Sequence, residues 1–203
     1  MELRKRLYAA VILLTVVIAG LLLLVWLGGQ PLTGKNTQPP PHLPQSAADA
    51  AAVLQAWLTD NWAADGVFVA CTLTLSRHDP AENDWTFQVY SEQKNRLLVA
   101  MVQEREVKVL RDIVPLYRQL VLPEAAWKQD SPDILAAWWR AGGATAWNSP
   151  QASMMALRLG MREDGIPSWQ LTLTPDDVSL LEYWEIRADT GALLEHSSTG
   201  GQR

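Results

Sequence analysis

Apolar and polar residues alternate with a period of two along several stretches, and the clearest lies near the end of the chain. Trp169, Leu171 and Leu173 alternate with Gln170, Thr172 and Thr174; after a short polar turn, Trp184, Ile186 and Ala188 alternate with Glu185, Arg187 and Asp189. A period of two sends successive side chains to opposite faces of a strand, so each run predicts a strand with one buried face. Asp189, Thr190 and Gly191 end the second run with a turn, because Gly accepts a positive φ without steric cost. Upstream, Met155, Leu157, Leu159 and Met161 alternate with Met154, Ala156, Arg158 and Arg162, and Glu163 to Gly165 form the turn between them and Trp169.

The spacing changes to that of a helix before this strand. Ser131 suits an N-cap, Pro132 suits the first helical position, and Gly142 with Gly143 suits the end. Ile134, Leu135, Trp138 and Trp139 form the apolar stripe. Successive helical residues turn by about 100°, which puts Trp138 about 30° from the middle of the stripe and Trp139 about 70° from it. Trp138 is therefore expected in the core, and Trp139 at the flank as a candidate partner contact.

The first half repeats the order. Ser46 is an N-cap with Asp49 three residues on, and Val53, Leu54, Trp57 and Leu58 predict a helix from about Ala47 to Trp62, closed by Asp65 and Gly66. Val67, Val69, Cys71, Leu73 and Leu75 predict a strand, and Trp85, Phe87 and Val89 a second. Leu97, Val99 and Met101 begin a third, with Val107 and Val109 continuing it or forming a fourth. In the connector, Leu116, Tyr117, Leu120 and Val121 are spaced for a short amphipathic helix, with one further turn at Glu124 to Lys128 beyond Pro123. Trp169 is placed as Trp85 is, at an offset of 84 residues, so order, alternation and spacing together indicate a structural repeat.

Leu7 to Leu27 contains no charge, and 21 helical residues span about 31 Å, close to a bilayer's hydrocarbon core. Arg4, Lys5 and Arg6 precede it, so the positive-inside rule puts the N-terminus in the cytoplasm and the body outside. The segment is too long for a signal-peptide core and offers no small-residue cleavage site, which favours an uncleaved anchor. Residues 28–45 carry Pro31, Pro39, Pro40, Pro41 and Pro44 and read as an extended linker. The expected fold class is α+β: an N-terminal transmembrane helix followed by two helix-on-antiparallel-sheet (α-β-β-β) units. Their ranges are 1–27 for the cytoplasmic tip and anchor, 28–45 for the linker, 46–111 for the first unit, 112–130 for the connector and 131–203 for the second unit. The expected location is a cell membrane, crossed once, with an extracytoplasmic body.

Composition narrows the function classes. The formal charge is −5, of which the first six residues contribute +2, leaving −7 on the remainder. An acidic body with scattered Lys and Arg lacks the basic patch that a nucleic-acid binder needs. The single cysteine, Cys71, excludes an internal disulfide framework and a cysteine-rich zinc site. It falls on the apolar side of its strand, which suits an inert buried thiol better than a nucleophile. His42, His78 and His196 are not spaced as ligands on one element. Asp79, Glu82 and Asp84 share a loop without the alternating oxygens and glycine of a calcium loop. Asp176 and Asp177 suit a solvated turn. No phosphate loop or nucleophile elbow occurs, so no catalytic, cofactor or metal residue is expected.

The short helix ending in Gly142 and Gly143, the run Trp169 to Leu173 and the stretch Tyr183 to Leu194 resemble a PepSY domain, a bacterial extracytoplasmic module of the cystatin-like type. The resemblance covers about Ser131 to Ser197; the first unit shares only the order of elements and lacks the Asp-Thr-Gly turn. It implies a binding or regulatory module without catalytic residues, found in peptidase propeptides and in membrane-anchored envelope proteins. The chain is thus expected to be a non-enzymatic, membrane-anchored protein that engages a polypeptide partner, a peptidase or cell-wall enzyme being one class. The alternative is a structural subunit of a membrane-anchored secretion or division complex. Expected partners are the membrane, through Leu7 to Leu27, and an envelope protein or peptide; nucleic acid is not among them.

Overall fold

The computed structural model describes residues 39–77, 84–175 and 182–198. The chain forms helix α1 (Ala47–Asn61), strands β1 (Val67–Ser76), β2 (Trp85–Ser91), β3 (Arg96–Gln103) and β4 (Glu106–Ile113), a 3-10 turn (Glu124–Trp127) and helix α2 (Ser131–Trp138). Strands β5 (Ala152–Met161), β6 (Pro167–Pro175), β7 (Glu182–Arg187) and β8 (Leu193–Ser198) follow. The strands make one eight-stranded antiparallel sheet in the order β4-β3-β2-β1-β5-β6-β7-β8.

This corrects the expected fold class. There are not two α-β-β-β units with a sheet each: each half contributes four strands, and β1 pairs with β5 so that the two halves share one sheet. The residues after Gln103 turn back as a strand of their own, β4, because Glu104 takes a positive φ of 53° at the hairpin. The single-pass location is corrected as well. No helix among the described residues is long and apolar enough to cross a membrane, and the Leu7 to Leu27 segment lies outside the described residues.

The 84-residue offset appears as a pseudo-twofold relation through the sheet. Leu73 pairs across the β1–β5 ladder with Leu157, its own counterpart 84 residues on. Trp85 Nε1–H donates to the Gln45 carbonyl and Trp169 Nε1–H to the Gln129 carbonyl, both at 3.0 Å and both at that offset. The two indoles meet edge to face with centroids 6.2 Å apart. The helix starts meet there too: Ala47 N–H donates to Ser131 Oγ at 2.9 Å, and Ala48 N–H to Asp130 Oδ1 at 3.2 Å. Asp130, not Ser131, is the N-cap of α2, its carboxylate accepting from Ser131 N–H at 2.6 Å. One carboxylate therefore serves orphan donors at both helix starts.

Both helices lie on one face, over Leu73, Phe87, Leu98, Leu157, Trp169 and Trp184. Helix α1 buries Ala47, Ala50, Ala51, Leu54 and Leu58, while Val53 and Trp57 only flank the core; small alanines let it sit close to the strands. On β3 the inward residues are Leu98, Ala100 and Val102, so the expected Leu97, Val99 and Met101 face is the outer one. The linker's last residues join the body: Leu43 packs against the core. The connector forms no amphipathic helix. Pro115 and Pro123 bracket it, Leu122 N–H donates to the Phe68 carbonyl at 2.7 Å, and Leu122 and Ala126 are buried. The α2 stripe is as expected up to Trp138, after which a wide turn (Trp139–Gly143), broken at Gly142 with φ 115°, leads to a last helical turn at Ala144–Trp147.

Candidate functional site

Among the described residues, no helix lies on the second face of the sheet. Its two edges are β4 and β8, and each carries a β-bulge. On β4 the extra residue is Leu110, between the pairs Val99 with Arg111 and Ala100 with Val109. On β8 it is Leu194, 84 residues on, between Glu185 with Glu195 and Ile186 with Leu193. A bulge twists an edge and interrupts its row of free N–H and C=O groups, which blunts pairing with another chain. Neither edge is a regular template for strand addition.

What the first half offers instead is an apolar strip. Twelve large hydrophobic residues stand exposed among the described residues, and eight of them fall between Val109 and Val121, which concentrates apolar surface on β4 and the connector. Leu116 is 89% and Tyr117 80% exposed, at the bend where the connector leaves the edge. A cleft of about 760 Å³ runs beside it, between connector residues Arg118 and Val121 and the strand-end residues Val67 and Tyr90. Asp65 also lines this cleft, but it is occupied: it accepts from Gln93 N–H at 3.0 Å and Ser91 Oγ–H at 2.7 Å, bonds that hold its carboxyl below the ordinary range.

The second half bears a polar cluster on the outer face. Glu185 alternates outward, as expected, yet it is buried. Its carboxylate accepts from Ser168 Oγ–H at 2.6 Å and Gln170 Nε2–H at 3.4 Å, and pairs with Arg162, whose guanidinium that charge holds above its ordinary range. Arg158 Nη1–H donates to Gln170 Oε1 at 3.2 Å, and its guanidinium lies over Gly160, where a side chain would collide with it. Beside the cluster, burial and the Glu185 charge push the Tyr183 phenol up. Every member has a partner within the chain, so the cluster braces β5, β6 and β7. In the Asp189 turn, Gly191 takes φ 71°, and Arg187 donates to both Asp189 oxygens at 2.9 and 2.7 Å.

The residues singled out from sequence are not brought together. Trp138 is fully buried beneath the edge of Trp184, with centroids 5.7 Å apart. Trp139 is half-buried and packs edge to face on Trp138 at 5.7 Å. Cys71 is buried, and desolvation pushes its thiol far above the ordinary range. His42 is exposed, and His196 stacks on Trp184 with centroids 4.6 Å apart. His78, Asp79, Glu82, Asp176 and Asp177 lie outside the described residues, while Asp84 borders a shallow outer-face depression with Thr72, Thr74, Thr86 and Met101. Among the described residues, no three His, Cys, Asp or Glu side chains are placed to hold a metal ion. Sequence reasoning missed the apolar strip by giving its residues to a packed helix. The two flanking prolines were the available signal.

No family model and no curated protein matches the chain. Among solved structures, a "putative lipoprotein" from Clostridium difficile 630 is similar over 80% of this chain and 97% of its own, at 10% identity and a TM-score of 0.48. A likeness of that degree fixes neither fold nor function here.

Proposed function

We propose that this chain is a non-catalytic polypeptide-binding module that docks its partner on the strip from Val109 to Val121. The observation that carries the reading is the concentration of exposed apolar side chains there. Apolar surface concentrated beyond what a monomer needs marks an interaction site, since exposed apolar side chains are unfavourably hydrated until they are covered. The bulged edges favour docking through side chains over addition of a strand. The resemblance of residues 131–197 to a PepSY module agrees with a binding role.

The test is photo-crosslinking in cells that make the protein. A photoreactive residue at Leu116 or Tyr117 should give a discrete protein adduct, whereas one at exposed Thr145 should give none. Leu120→Asp should abolish the adduct without lowering the melting temperature, because Leu120 is exposed. Absence of any protein adduct along the strip would sink the reading.

A further inference from the structure

We propose, resting on that docking reading, that the segment seated on the strip is an amphipathic polypeptide with carboxylates along the border of its apolar face. On β4 the residues facing away from the helices are Lys108, Arg111 and Ile113, which pair with Met101, Val99 and Leu97 of β3. Within β1 to β4 the row from Lys108 runs through Thr86 to Thr72 and the row from Arg111 through Gln88 to Ala70, and no carboxylate stands in either over these four strands. Asp84, before β2, borders the depression beside Thr86 and Met101. Glu106, at the hairpin end, is the acidic residue on this side of β4. Asp112 pairs with Leu98 and so lies on the helix side, where it accepts from Arg96 at 2.8 Å and Trp62 at 3.3 Å.

Lys108, Arg111 and Arg118 therefore have no ion pair among the described residues, although the chain as a whole carries −5. Unpaired cations bordering an apolar surface select partners by charge complementarity and speed their encounter. The second half shows that this is no by-product of the repeat. Its counterpart of Arg111 is Glu195, and the row through Lys108 ends on that side in Gln170, Glu185 and Glu195. A helix already covers the other face of β2, β3 and β4, so an amphipathic helix is an element this part of the sheet can seat.

The probes are three helical peptides of about 18 residues, five turns, sharing one Leu and Phe face and flanked by Glu, Gln or Lys. Fluorescence anisotropy against the whole protein should show the Glu peptide binding about tenfold more tightly than the Lys peptide, with the gap closing at high salt. Lys108→Glu with Arg111→Glu, both exposed, should invert that order without changing the melting temperature. Equal binding of the Glu and Gln peptides would overturn the acidic preference while leaving the docking reading intact. Binding of none of them, with the Tyr117 adduct still formed, would overturn the partner class. Binding to phosphatidylglycerol vesicles in place of the peptides would overturn it in favour of a lipid surface.

Discussion

Single residues show where local pattern suffices. Trp138 is in the core, as its helical phase requires, and its indole lies so close over Gly143 that a methyl group there would overlap it. Trp138→Ala should cost about 3–5 kcal/mol in urea unfolding, and Trp139→Ala clearly less. Gly143→Ala should also destabilise, by overpacking rather than by a cavity. Arg187 hydrogen bonds hold the Asp189 carboxyl at about 2, against an ordinary value of 3.8. A depressed carboxyl stabilises the fold above its unfolded value, and that contribution is lost as pH falls from about 3.8 to 2. Asp112, held down by Arg96, and Asp65, held down by the Gln93 N–H, act with the same sign. Melting temperature should therefore drop below about pH 4, and Asp189→Asn should flatten the drop. An unchanged profile in that variant would show that the turn pair contributes nothing.

At the scale of elements, strands were easier to read than their partners. The phases of β2, β5 and β6 follow directly from alternation, because a strand with one buried face must alternate. The phase of β3 does not: Leu97 to Val102 is apolar throughout, so either set could face inward, and pairing with β2 decided it. The start of α2 was legible to within one residue, but sharing Asp130 between two helices depends on residues 84 apart meeting. Asp130→Ala should cost more than a single cap, which is worth about 0.5–2 kcal/mol, because donors at both helix starts lose their acceptor. The bulges make a second prediction here. Deleting Leu110 should regularise β4 and raise concentration-dependent light scattering, as an unblunted edge recruits copies of itself. A deletion variant that scatters no more than the parent would mean the edge is protected by its charges alone.

At the scale of the molecule, the β1–β5 ladder joins the halves into one cooperative body. Cutting it would expose Leu73 and Leu157 and separate Trp85 from Trp169. Residues 39–203 should therefore unfold in one transition, with tryptophan fluorescence and far-ultraviolet circular dichroism coincident. The fragment 39–111 should not fold alone, because its β1 edge and the start of α1 would lose the partners supplied by β5, Asp130 and Ser131. Two separate transitions, or a folded fragment, would restore the picture of independent units.

Although it put a helix at Leu116 to Val121, where none forms, and left β4 open as part of β3, the sequence alone determined most strand phases, the helix starts to within one residue and the 84-residue repeat. Each of these rests on periodicity or capping within a few residues, or on comparing one such pattern with another. Only the tertiary structure decided that the two halves share a sheet, that Glu185 is buried on the outer face, and that Leu116 and Tyr117 stand in solvent. The physical reason is the same in all three cases. Alternation says which side chains share a face, but whether that face is covered depends on which distant strand, helix or connector comes to lie against it.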